Sequence, residues 1–197
     1  GNLRGIIGQM AEERALQILA GPRARAHLRE RGLRSEDVRV IPAAAGGPKG
    51  LALNALDRFI FGHWLPASVQ TVHLMGASIG AWRMATACLS DADTALRQLA
   101  EGYIAQAYPH QAGRFPKARD VSRVFADVLD AGLGAHVAQI LSHPRFRLHV
   151  ITSRGRHIMR REGRLSTPLG YLGAFATNLV SRRAMGGWLE RVMFSDA

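Results

Sequence analysis

The chain has 197 residues, 47% of them hydrophobic and 21% charged, with a formal net charge of +11. That length fits one domain, or one and part of another, with a proper core, and the composition is that of an ordinary soluble globular protein. No apolar run approaches the roughly 20 residues that span a bilayer, and no signal peptide is expected from Gly1-Asn2-Leu3-Arg4, which has one charge and no sustained apolar core after it.

A single cysteine, Cys88, excludes an internal disulfide and fits a reducing compartment. The expected setting is therefore cytoplasmic, with peripheral contact to an anionic membrane as the extension that the basic charge suggests. The charge is nearly all arginine, with lysine only at 49 and 117, and it is scattered. Its densest cluster, Arg154, Arg156, Arg160, Arg161 and Arg164, reads as a solvated hairpin. No module or aromatic-basic interleaving points to nucleic acid.

In chain order, residues 7–31 predict a helix or helical pair broken at Gly21-Pro22, within a helical extension over 1–34. The main α/β domain then occupies 35–197. Its first strand is expected at Val38–Ile41, running into Ala43-Ala44-Ala45-Gly46-Gly47-Pro48-Lys49-Gly50. A helix should follow, started by Pro48 at its first position and apolar at Leu51, Leu53, Leu56, Phe59 and Ile60. A glycine-rich loop at a helix start leaves backbone N–H groups free for an anion. It is not a P-loop, because Gly50 and Leu51 follow Lys49 where a hydroxyl would be needed. No metal or cofactor is expected.

The second strand, Thr71–Met75, leads into Gly76-Ala77-Ser78-Ile79-Gly80 and a helix from Ala81 to about Leu89. G-x-S-x-G between a strand and a helix places a serine on a strained turn at the positive end of a helix. Gly76 and Gly80 suit the turn because a side chain two positions either side of Ser78 would collide with the neighbouring strand or helix. Strand, helix, strand, helix implies a crossover and a parallel pair. Both loops then meet at adjacent carboxyl ends, where open α/β sheets build sites.

Further on, Asp91 should cap a helix over 92–107, with Leu96, Leu99, Tyr103 and Ile104 on one face. A loop at 108–118 and helices at 119–131 and 133–142 follow, as a lid or a covering layer. Leu148–Thr152 reads as a strand and 153–166 as a basic turn and hairpin. Helix 171–184 is expected to turn Leu172, Phe175, Leu179 and Val180 inward, ahead of a buried-looking strand at Arg191–Phe194.

The loop 45–50 on one strand and the serine turn 76–80 on the next resemble the patatin-like phospholipases, over roughly residues 38–90. The resemblance implies a three-layer α/β/α fold with a mainly parallel central sheet. It also implies a lipid or acyl-ester substrate and a Ser–Asp dyad acting through an acyl-enzyme. Ser78 would be the nucleophile, with Gly46, Gly47 and Ile79 as oxyanion donors and Gly76 and Gly80 forming the turn. Lys49 and Gly50 would support the loop or steer a head group. Two departures stand out: Ala44 and Ala45 replace the acid and glycine that usually open the loop, and no Asp is followed by Gly. Asp196 is the only acid near a late strand end and is not the expected base, so the aspartate is expected in sequence beyond Ala197. The alternatives are a Ser-acid-His esterase, drawing on His110, His136, His143, His149 or His157, and a catalytically incomplete membrane-docking module.

Overall fold

The fold is seen in a computed structural model that describes residues 18–106, 118–157 and 166–196. Helix α1, Pro22–Arg31, begins with a proline whose missing N–H is needed by no partner. It ends at Gly32, whose N–H still bonds the Leu28 carbonyl and whose φ of 72° then turns the chain out of the helix. None of its residues is buried; the expected residues 7–17 lie outside the described part.

Four strands form one mixed sheet in the order β1-β2-β3-β4. They are β1 (Val40–Ala43), β2 (Val72–Ala77), β3 (Phe146–Gly155) and β4 (Leu189–Ser195). The first three run parallel, and β4 closes one edge antiparallel to β3. The class is α/β, as the alternating elements require. Strand β1 starts two residues later than the sequence suggests. Gln70 Nε2 donates to the carbonyls of Ser35 and Val38, which holds Val38 out of the ladder.

Between β1 and β2 a 3₁₀ segment, Gly47–Leu53, runs into α2 (Asn54–Phe59), a π turn and a short 3₁₀ turn. Pro48 is its second residue, not its first. The tighter winding turns Leu53 and Phe59 outward, against expectation, and buries Asp57 instead. Helix α3, Ile79–Thr86, then packs across β1, β2 and β3. Its Arg83 donates to both carboxylate oxygens of Asp57, at 2.5 and 2.7 Å. This ion pair, 7% and 6% exposed at the two side chains, ties the helix after the glycine loop to the helix after the serine turn.

Helix α4 (Ala92–Ile104) is capped as expected, with the Asp91 carboxylate accepting from Thr94 N–H. Leu96 is buried, but Ile104 faces solvent. Helices α5 (Ala118–Leu133) and α6 (Val137–Leu141) follow, joined by a 3₁₀ turn. The run Arg119–Leu141 is long and apolar enough, by length and composition, to cross a membrane, contrary to the sequence expectation. The 3₁₀ turn at Gly134–His136 divides it, and α5 alone, at 16 residues, rises only about 24 Å.

One face of the sheet carries the core. Val72 and Leu74 of β2 and Phe146 and Leu148 of β3 pack there with Leu65, Met84 and Leu96. The alternation of strands sends His73, Met75, His149 and Ile151 to the other face, where they are half-buried. Among the described residues no helix packs extensively on that face.

The C-terminal third departs most from expectation. Of the expected turn and hairpin at 153–166, residues 158–165 lie outside the described part; β3 continues to Gly155 and pairs with β4. Of the basic cluster, Arg160, Arg161 and Arg164 lie outside the described part. Helix α7, Ser166–Val180, turns Leu172, Phe175, Leu179 and Val180 outward, and Gly170 and Ala174 are buried. Gly173 lies so close to Trp188 that any Cβ would overlap the indole, whose Nε1 donates to Thr177 Oγ1. An indole seated on the small residues therefore selects the buried face of α7. Strand β4 is an edge, with Met193 and Phe194 more than half exposed.

Candidate active site

Ser78 is the N-cap of α3, with φ 53° and ψ −128°. A side chain rarely adopts positive φ, and such strain persists only where the surroundings impose it. Here they do. A Cβ on Gly76 would overlap the backbone of Ala81 and Gly80, and one on Gly80 would run into the carbonyl of Ala43. Both glycines are needed because β1, β2 and α3 meet within contact distance. The carbonyl of Ser78 accepts from Ala81 and Trp82 N–H, which starts the helix and turns the serine side chain out to solvent.

The glycine loop docks on this turn. Gly50 is buried, and a Cβ there would meet Ile79 Cγ2 at 2.8 Å. The two loops are adjacent, as parallel pairing of β1 and β2 requires. Gly47 has a φ of 54°, and Gly46 an extended φ of 171°. Neither Gly46 nor Gly47 donates its N–H to a described residue, and Ile79 stands at the first turn of α3, where N–H groups lack intrahelical acceptors. Lys49 is exposed, its N–H bonded to Gly46 O at 3.3 Å.

A cavity of about 780 Å³ opens beside Ser78, lined also by Ala45, Ile151, Met185, Arg183, Glu190 and Arg191. Gly46, Gly47 and Lys49 are not among its lining residues. The cations at its wall are therefore Arg183 and Arg191, neither of which stood out in the sequence. Their 3₁₀ turn and edge strand reach the site only because β4 pairs back along β3. Glu190 is the one carboxylate among the described lining residues and lies 3.7 Å from Arg156.

The described histidines are elsewhere. His136 lines a separate apolar cavity of about 350 Å³ between α3, α4 and α5, with Trp82, Thr86, Leu99 and Leu133. His143 stacks on Phe146 at 4.4 Å, and its Nδ1 accepts from the N–H groups of Arg145 and Phe146. Burial first, then Arg145 and Arg147, hold its pKa below the usual value. His149 contacts His73 and Ser195, and His157 does not line the Ser78 cavity. His110 lies outside the described part. Asp196 is at the far end of the sheet, its Oδ2 accepting from Leu148 N–H. Ser78 follows Ala77, which pairs with Ile151, so strand rise alone separates that level from Leu148 by about 10 Å. Cys88 is fully buried, and burial pushes its thiol up to about 12, which leaves it inert.

The arrangement offers an exposed, backbone-strained hydroxyl at a helix N-terminus, on a strand end adjacent to a loop whose Gly46 and Gly47 N–H groups donate to no described residue, and beside a part-apolar, part-cationic cavity. That set suits attack on a carbonyl carbon with an oxyanion to be held. No family model, curated protein or solved structure matches the chain.

Proposed function

We propose that the protein is a serine acyl hydrolase. Within that class we read it as a patatin-like lipid acyl hydrolase that cleaves fatty acyl esters. The observation that carries the reading is Ser78 at φ 53°, held between two glycines that admit no side chain. Ser78 Oγ attacks the ester carbonyl, and the oxyanion is met by N–H groups of Gly46, Gly47 or Ile79. The alcohol leaves, and water then releases the acyl group from the serine. Arg183 and Arg191, not Lys49, are the cations placed to meet an anionic head group.

The dyad is favoured over a histidine triad because no described histidine lines the Ser78 cavity. Glu190 is the carboxylate to test as base. Outward Leu172, Phe175 and Leu179, spaced i, i+3 and i+7, suit contact with a lipid surface. A patatin-like three-layer sandwich further calls for a helical layer over the sheet face that carries Met75 and Ile151.

The experiment is hydrolysis of short- and long-chain p-nitrophenyl esters by the protein, Ser78→Ala and Glu190→Gln. Long-chain ester turnover abolished by Ser78→Ala supports the reading. Retained turnover in Glu190→Gln assigns the base to another acid. Binding to anionic vesicles with no turnover at all would replace the reading with that of a docking module.

A further inference from the structure

On the sheet face away from the core, three residues from three strands form one hydrogen-bonded chain. His73 Nδ1 lies 2.8 Å from His149 Nε2, and His149 Nδ1 lies 2.6 Å from Ser195 Oγ. The ring centroids of the histidines are 5.1 Å apart and their planes 22° from parallel. An N···N contact of 2.8 Å is hydrogen-bond distance, so the rings meet edge to edge and nearly in plane.

Strand register explains the assembly. Ser195 sits directly opposite His149 across the antiparallel β3–β4 pair. His73 is diagonal to His149, because His73 pairs with Arg147 and His149 with Met75. Long side chains bridge such diagonals. All three residues fall on the face opposite Leu74 and Leu148.

A hydroxyl bonded to an imidazole that is itself held by a third group is the arrangement that activates a serine. We propose that Ser195 is a second nucleophilic serine, with His149 as its base and His73 positioning that base, and that it accepts acyl groups from activated aryl esters. His149 carries its proton on Nε2 and donates it to His73 Nδ1. Its own Nδ1 then accepts the Ser195 hydroxyl proton. As the bond from Oγ to the acyl carbon forms and the bond from that acyl carbon to the aryloxy oxygen breaks, that proton passes through His149 Nδ1 to the departing phenolate. The products are the phenol and acyl-Ser195, which water hydrolyses to the free acid. A neutral imidazole stabilises the His149 imidazolium less than a carboxylate would. The expected behaviour is therefore slow, near-stoichiometric acylation of a residue exposed to solvent.

The test is done in Ser78→Ala, so that it does not depend on the first site. The variant is treated with p-nitrophenyl acetate and with a fluorophosphonate, and adducts are located by peptide mass mapping. Adduct formation at Ser195 should exceed that at the exposed Ser90 by about 100-fold, the low end of general-base assistance. His149→Ala should remove that advantage. His73→Asn, whose amide oxygen still accepts from His149, should keep most of it, whereas His73→Leu should not. Thermal melts of each variant separate loss of fold from loss of reactivity. A Ser195 rate equal to that of Ser90, or one unchanged in folded His149→Ala, would overturn the proposal. Labelling at Ser78 in the unmutated protein is read separately.

Discussion

The segment from β1 to α3 and the segment from β3 to β4 both contain strands and apolar helices, yet they settle differently. In the first, each local feature has a tertiary partner. Gly80 backs onto Ala43, Gly50 onto Ile79, and Asp57 meets Arg83. In the second, Phe146 and Leu148 of β3 join the core, but Leu172, Phe175, Leu179 and Val180 of α7 and Met193 and Phe194 of β4 face outward, while Gly173 of α7 packs closely on Trp188. The contrast shows that periodicity reports a helix face, while close contact with a specific neighbour decides which face is covered.

The comparison is broken most severely at the ion pair. Asp57→Ala leaves the Arg83 guanidinium buried without a carboxylate, and denaturant unfolding should show a loss of about 3–5 kcal/mol. Gly80→Ala comes next: its Cβ enters the space of the Ala43 carbonyl. About 3 kcal/mol is expected from overpacking, together with displacement of Ser78 and loss of ester turnover. If Gly80→Ala were as stable as the unmutated protein, the close approach of β1 to the turn would be wrong.

Ser78→Gly acts in the opposite direction. Glycine adopts φ 53° without penalty, so relief of strain should stabilise the fold by about 1 kcal/mol while removing the nucleophile. Ser78→Ala removes the hydroxyl and keeps the strain. A higher melting temperature for Ser78→Gly than for Ser78→Ala is the signature.

A smaller effect comes with pH. His143 has a folded pKa below its usual 6.5, so the unfolded chain takes up the proton first. Stability should be at its plateau above pH 6.5 and fall as pH drops below it, as the melting temperature will show. Asp91 and Asp93 are lowered as well, by the Thr94 N–H and by Arg58 respectively. Their contribution is present above the ordinary carboxylate range and is lost only at more acidic pH. His143→Gln should flatten the first of these two declines and leave the second.

The smallest effect is expected on α7. Leu172→Ser and Phe175→Ser, at exposed positions, should each change stability by less than about 0.5 kcal/mol. They should reduce binding to anionic vesicles if this face meets lipid.

What could be read from sequence follows the same division. The serine turn, the glycine loop and their adjacency were legible because glycine spacing and strand order impose steric and topological rules. The Asp91 cap was legible for a local reason. The inward assignment of Leu172, Phe175 and Leu179 failed because it needed a partner that sequence does not name. Asp57–Arg83 escaped notice because charged residues 26 positions apart carry no local pattern. Arg183, Glu190 and Arg191 reach the cavity through an antiparallel pairing that the expected 153–166 hairpin concealed.

The most direct measurement of the central claim is the site of covalent capture. The protein is treated with a fluorophosphonate and the adduct is mapped by mass spectrometry, alongside Ser78→Ala. The expected result is an adduct on Ser78 that is absent from the variant, with long-chain ester hydrolysis lost in parallel. A folded protein that hydrolyses esters with no adduct on Ser78, or equally well as Ser78→Ala, would contradict it.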